Sequence, residues 1–268
     1  AAYFTAPKPP KLISFLADIS TNSGDLVLDF FAGSGTTAQA IYELNKENKG
    51  KLKFICVQLP ELCEQNSDSA RAGYQTIADI SKERIRRAGK KVSKEIEEEI
   101  NKLQIELTSL KTEIPTTETI DKIKKLETNL DLLKNQDLGV KVLKLTDSNF
   151  KQWRQIEGKN VDALVEQMKL FVDPVSESAT IENMVYELLL KSGKDLNSKI
   201  DQHDGFFSVN SGELALILEK ASQEIIDNIL ALRPQKVIAL DKLFTGNDQL
   251  KTNTVLQMKD AGIEFKTI

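Results

Sequence analysis

The chain has 268 residues, 40% of them hydrophobic and 28% charged, with a formal net charge of −4 and a pI near 5.4. That length suits one large domain or two modest ones with a real core. It holds no apolar run long enough for a bilayer and no secretory leader at its first residues, so a cytoplasmic protein is expected. The acidic balance argues against a chain that grips DNA by itself, because neutralising phosphates requires a basic surface.

Taken in order, the chain opens with a Pro-rich extended stretch, Ala6-Pro7-Lys8-Pro9-Pro10. Leu12, Phe15, Leu16 and Ile19 follow at helical spacing. Asn22-Ser23-Gly24-Asp25 reads as a turn, and Leu26 to Phe31 as a buried strand. Gly33-Ser34-Gly35-Thr36-Thr37 is a tight loop opening a helix that runs to about Asn45. After a polar connector at 46–51, Lys53 to Leu59 is a second buried strand, and a helix is expected over about 77–88. Cys56 and Cys63 form neither a disulfide framework nor a zinc pattern and read as free thiols.

From Ser93 to Gln136 the sequence is charged and free of glycine. Ile96, Ile100, Leu103, Leu107 and Leu110 alternate at spacings of four and three, and Ile120, Ile123, Leu126, Leu130 and Leu133 nearly do the same. Pro115 breaks the run. The pattern predicts an antiparallel helical hairpin, a structural or oligomerisation arm. Val140 to Leu145 reads as a returning strand. Beyond about residue 155 the chain is mainly helical. Strand-like runs then recur at Leu214–Leu218, Val237–Leu240 and Ile263–Phe265, separated by helical patterns at 222–232 and 248–261, which predicts a small α/β unit. The single histidine, His203, sits in a polar stretch and reads as a solvated loop residue; one histidine excludes a multi-His metal site.

Asp29-Phe30-Phe31-Ala32-Gly33-Ser34-Gly35-Thr36-Thr37 carries the chemistry. A strand, a glycine-rich turn and a helix N-terminus in succession cradle a nucleotide-like cofactor, because glycine lets the backbone approach the ligand. A P-loop needs Gly-Lys-Ser/Thr, whereas Gly35 is followed by Thr36-Thr37. Glycine spacing leaves NAD open. The Asp29 carboxylate, however, would face a pyrophosphate badly and would suit the ammonium of an amino-acid ligand such as S-adenosylmethionine. Gln58 and Glu61, past the second strand, are the acceptors available for ribose hydroxyls.

These residues resemble the β-class amino-methyltransferases of DNA, and most closely the modification (Mod) subunits of type III restriction–modification systems. Lys8-Pro9-Pro10-Lys11-Leu12 is similar to motif X of that family, Asp29 to Thr37 to motif I, and Ile55 to Glu61 to the second-strand motif. Gly73 to Lys91, Ser148 to Trp153 and Gly246 to Asn253 also match the Mod pattern. The resemblance implies S-adenosylmethionine as cofactor. Asp29 would bind its amino group; Phe31, Gly33 and Gly35 would wall its methionine and adenosyl parts. Thr36 and Thr37 would meet its carboxylate. Lys8, Pro9 and Leu12 would close the methionine end, Gln58 or Glu61 would reach the ribose, and Asp147 would correspond to the acid on the adenine.

The family's catalytic tetrapeptide, Asp/Asn/Ser-Pro-Pro-aromatic, is absent from this sequence; Lys8-Pro9-Pro10-Lys11 and Asp173-Pro174-Val175-Ser176 both fail it. The resemblance therefore implies a C-terminal fragment, without catalytic motif or target-recognition region and without metal ligands, of a DNA adenine-N6 methyltransferase. The expected fold is α/β: a Rossmann-like methyltransferase half at 1–92, a helical hairpin at 93–137, and a returning strand with a C-terminal α/β region at 138–268. Implied partners are double-stranded DNA through the full-length protein, a second Mod copy and a restriction (Res) subunit, with no membrane. The rivals are an NAD-binding oxidoreductase fragment and a non-enzymatic assembly module. The cluster Lys82, Arg84, Arg86, Arg87, Lys90 and Lys91 reads as a solvated helix face or, in the complete enzyme, as a phosphate contact.

Overall fold

The computed structural model describes residues 7–48, 50–112, 114, 116–153, 156, 158, 161–170 and 173–268. It is a mixed α/β chain that divides into two compact units between Leu143 and Lys144.

In the first unit, helix α1 (Pro10–Ser20) precedes strand β1 (Leu26–Asp29), helix α2 (Thr36–Asn48) and strand β2 (Lys53–Cys56). Pro9 and Pro10 start α1, where a missing N–H costs nothing. Strands β1 and β2 pair in parallel, Leu26 with Lys53 through Asp29 with Cys56. A parallel pair needs a crossover, and α2 supplies it. Ala38, Ala40 and Ile41 on α2 are fully buried. On one side α2 packs with Ala17 of α1 and with Val27 and Phe54 of the sheet, and Tyr42 meets Phe54 edge-on at 5.3 Å. Ser14 Oγ donates to the Ala40 carbonyl and Asn48 to Asp18, so α1 and α2 run parallel and start at the same end.

A short helix α3 (Asp68–Arg71) leads to α4 (Ile77–Lys111). Thr76 and Asp79 close a reciprocal capping box at its start. Thr76→Ala is expected to cost about 1 kcal/mol, read as a shift in the urea midpoint. The expected helix at 77–88 and the first arm of the expected hairpin are one continuous 35-residue helix, running through the expected boundary at 92/93. Gly89 lies inside it, where a Cβ would stand at ordinary van der Waals distance, 3.5 Å from the Leu138 carbonyl and 3.8 Å from the Tyr42 ring. Helix α5 (Thr117–Lys134) folds back along α4, with Lys111 on Glu127 at 2.8 Å. Leu133 is buried with Val92 and Ile96. The expected break at Pro115 lies outside the described residues.

The expected strand at Val140–Leu145 forms no ladder among the described residues. Alternating apolar residues state a preference, but a strand requires a neighbour. Among the described residues no strand pairs with it, and Val142, Leu143 and Leu145 stand exposed.

The second unit contains helices α6 (Val161–Leu170) and α7 (Ile181–Lys191), then a five-stranded sheet with strands in chain order. Strands β3 (Ile200–Gln202), β4 (Phe207–Val209) and β5 (Leu214–Ile217) are antiparallel neighbours. Strands β6 (Lys236–Ala239) and β7 (Glu264–Thr267) continue in parallel through α8 (Gln223–Leu232) and α9 (Asp248–Asp260). Strand β5 is buried along its whole length. Leu214 and Leu216 face α7 and Phe150, while Ala215 and Ile217 face α8 and α9. That two-sided burial is why it reads as a continuous apolar run. The three expected strands and two expected helices of this region are β5, β6, β7, α8 and α9. The hairpin of β3 and β4 was not expected.

The Mod-like blocks outside the glycine loop have structural work here. Ser148 Oγ and Asn149 donate three hydrogen bonds to the Glu187 carboxylate at 2.5–2.8 Å, and Lys191 adds an ion pair at 2.8 Å. Asn247 caps α9, and Lys251 pairs with Asp241 at 2.6 Å. His203 is exposed, stacks on Phe206 at 4.4 Å between ring centroids and bonds Ser208 through Nε2. Among the described residues, no helix is long and apolar enough to cross a membrane.

Candidate functional site

The loop from Phe30 to Gly35 leaves the carboxyl end of β1 and enters α2, the position where open α/β sheets bind ligands. Gly33 and Gly35 have φ of +53° and +75°, a left-handed region that side chains with a Cβ rarely adopt. Most of the loop's N–H groups are spent inside the protein. Phe31 donates to Asp29 Oδ1, Ala32 to the Val57 carbonyl, Gly33 to Gln58 Oε1 at 2.8 Å, and Gly35 to the Ala32 carbonyl. A phosphate cradle needs such donors free and aimed at the ligand, so this loop is not built for a pyrophosphate.

Asp29 ends β1. One carboxylate oxygen takes the Phe31 N–H at 3.1 Å and the other takes the Thr37 hydroxyl at 2.5 Å. Among the described residues no lysine or arginine forms an ion pair with it. Each oxygen keeps a lone pair, so the group is oriented, charged and open to a cation. Its charge, together with burial as the larger cause, pushes the neighbouring Cys56 thiol up to about 11. Cys56 is thus a protonated packing residue rather than a nucleophile.

The sequence-derived site residues fall into three groups. Asp29, Gly33, Gly35, Thr36, Thr37 and Gln58 come together at the loop, joined by the bonds above. Gln58 is used to hold Gly33, and its amide nitrogen donates to the Leu59 carbonyl. Phe31 projects into solvent, 88% exposed. Glu61 is exposed past β2, while its carbonyl accepts from Ile77 N–H. Lys8 and Pro9 precede α1, whose start lies at the same end as that of α2. Asp147 is exposed in the other unit.

Sequence reasoning missed the support behind the loop. Ser81, Arg84 and Ile85 line one face of α4, at the i, i+3, i+4 spacing that shares a face. Ser81 Oγ donates to the Gly33 carbonyl. Arg84 donates to Ser34 Oγ at 2.6 Å, to Thr36 Oγ1 at 2.7 Å and to Gln39 Oε1 at 2.9 Å. Burial lowers the pKa of this guanidinium, with nearby Glu43 opposing, and the group stays charged. The basic cluster is not one face: Lys82 pairs with Asp79, Arg87 with Glu83 and Lys91 with Glu95, leaving Arg86 and Lys90 exposed without an ion pair among the described residues. The spacing 81, 84, 85 was the available signal.

One face of the two-stranded sheet is also bare. Leu26, Leu28 and Ile55 stand exposed on the side away from α2, and Phe30, Val57 and Leu59 are exposed just beyond the strand ends. Parallel strands are ordinarily covered on both faces.

Among known protein families, residues 1–106 match the model described as DNA methylase. The chain is similar to the Mod subunit of the type III restriction-modification enzyme EcoP15I of Escherichia coli, 48% identical over 88 residues, which is 33% of this chain and 14% of that protein. It is 45% identical over 91 residues to the EcoPI Mod subunit of Escherichia phage P1, covering 34% of this chain and 14% of the relative. The type II methyltransferase M.KpnI of Klebsiella pneumoniae is 33% identical over 82 residues, 31% of this chain and 20% of its own length. The chain spans about a seventh of the length of the type III Mod subunits it is similar to.

Proposed function

We propose that the first unit is the S-adenosylmethionine-binding part of a Rossmann-like β-class DNA methyltransferase. In this reading the complete protein is a type III Mod subunit that methylates adenine N6 in double-stranded DNA. The observation that carries the reading is Asp29: an oriented carboxylate without a cationic partner, beside a loop whose N–H groups are already used. That combination fits a ligand with an ammonium and disfavours NAD.

When bound, the cofactor supplies an activated methyl group. Asp29 holds its ammonium. The Thr36 and Thr37 hydroxyls are engaged by Arg84 and Asp29, which leaves their backbone N–H groups at the start of α2 for the cofactor carboxylate. Gly33 and Gly35 admit the methionine part, Phe31 offers its ring to the adenosyl part, Glu61 reaches the ribose, and Lys8 and Pro9 close the far end. No residue of this chain is assigned to methyl transfer itself, since the tetrapeptide that would hold the flipped adenine is absent from it. The bare sheet face and the exposed stretch 140–145 suit packing by the remainder of the methyltransferase domain. The hairpin at 93–137 and the region at 138–268 are assigned to assembly with a second Mod copy and a Res subunit, and the protein to the cytoplasm.

The test is transfer of a labelled methyl group from S-adenosylmethionine to duplex DNA by the complete protein. Asp29→Asn is expected to raise the KM for the cofactor while the KM for DNA stays near its starting value. Unchanged cofactor KM would contradict the assignment.

A further inference from the structure

The contacts of Arg84 differ from those of its basic neighbours. Lys82, Arg87 and Lys91 each have a carboxylate partner on the surface of α4. Arg84 instead places its guanidinium among neutral groups: the hydroxyls of Ser34 and Thr36 and the side-chain carbonyl of Gln39. Ser34 and Thr36 are buried, and their hydroxyls lie 3.2 Å apart. With Arg84 donating to both, each hydroxyl acts as an acceptor toward it, and the two are drawn into one arrangement.

Two further contacts from the same face of α4 act on the same loop. Ser81 holds the Gly33 carbonyl. The Ser81 carbonyl and Ile85 crowd Gly35: an added Cβ would lie 3.2 Å and 3.1 Å from them, so they would have to give by a few tenths of an ångström. Every residue from Gly33 to Thr36 is therefore touched from α4 directly. Gln39, one turn into α2, is held by the same guanidinium and donates to Glu43 at 2.9 Å.

We propose that Arg84 is a positioning residue for S-adenosylmethionine binding: it bridges the two buried hydroxyls of the loop to Gln39 and so fixes the backbone of residues 33–37 in the ligand-ready shape. The inference rests on the reading of this loop as the cofactor site. Arg84 itself does not touch the cofactor. A hydrogen bond from a charged donor is strong enough that removing this bridge loosens the loop measurably. Lysine keeps the charge but lacks the fixed fork of donors needed to hold Ser34, Thr36 and Gln39 together.

The experiment compares wild type, Arg84→Met and Arg84→Lys by amide hydrogen exchange and by S-adenosylmethionine titration, each on the whole chain. In the ligand-free Met variant, exchange at the hydrogen-bonded loop amides of Gly33 and Gly35 is expected to rise about tenfold, while Ile41 and Leu44 inside α2 hold their protection. Cofactor affinity is expected to fall by about the same factor, with partial recovery in the Lys variant. Unchanged loop exchange, or acceleration spread evenly over α2, overturns the positioning role. Lack of S-adenosylmethionine binding by wild type would instead overturn the reading of the site, and the exchange data would still decide whether Arg84 orders the loop.

Discussion

Replacing Glu187 with alanine is expected to lower the unfolding free energy of the second unit by about 3 kcal/mol at pH 7. Burial acts to raise the pKa of this carboxyl, but Lys191, the Ser148 hydroxyl and two donors of Asn149 outweigh it and hold the pKa at about 2, against 4.5 ordinarily. The sign follows from linkage. A carboxylate depressed on folding contributes stability that is fully present above its unfolded pKa and is lost as pH falls through its folded pKa. The difference between wild type and variant should be constant above pH 4.5 and shrink toward pH 2. The contribution is large because the clasp joins α7 to the Ser148–Phe150 segment, which brings Phe150 into the core beneath β5. Urea denaturation followed at several pH values measures it. A variant with the wild-type midpoint at pH 7 would contradict this account of the clasp.

Gly35→Ala is expected to cost about 2 kcal/mol and to weaken the cofactor loop. Two effects combine. Alanine at φ +75° adopts a left-handed conformation that costs about 1–2 kcal/mol. Its methyl group then presses on a backbone carbonyl of α4 and on Ile85, neither of which is the free end of a flexible chain. The substitution should lower the melting temperature of the first unit and loosen Gly33 to Thr37 together. Gly73→Ala, where a Cβ would meet nothing within 4 Å at φ +90°, isolates the conformational part; the excess at Gly35 is the contact with α4. Equal losses at the two positions would show that α4 does not buttress the loop.

What was legible in the sequence followed local signals. The strand, glycine turn and helix from Leu26 to Asn48 are written in consecutive residues, and β5 declares itself because burial on both faces makes it uniformly apolar. The hairpin of β3 and β4 was missed although Asp204-Gly205 marks its turn: three-residue strands with Asp201 and Ser208 in them carry little periodic pattern. The continuity of α4 was missed because Gly89 lowers helix preference, and the packing that outweighs it, Val92 and Ile96 against Leu133, lies far away in sequence. Arg84 was hidden for a similar reason. Six cations within ten residues look like one solvated face, and only the fold distinguishes the one turned toward Ser34 and Thr36. The stretch at 140–145 shows the converse: alternation was present, but among the described residues it joins no ladder, and a partner strand is not something a local pattern supplies.

Whether Asp29 and its loop bind an ammonium-bearing cofactor is decided by calorimetric titration of this chain with S-adenosylmethionine, beside NAD and an Asp29→Asn variant. Saturable S-adenosylmethionine binding that weakens at least about tenfold in the variant is expected, with no NAD binding. Saturable NAD binding, or S-adenosylmethionine binding indifferent to Asp29, would contradict the cofactor assignment.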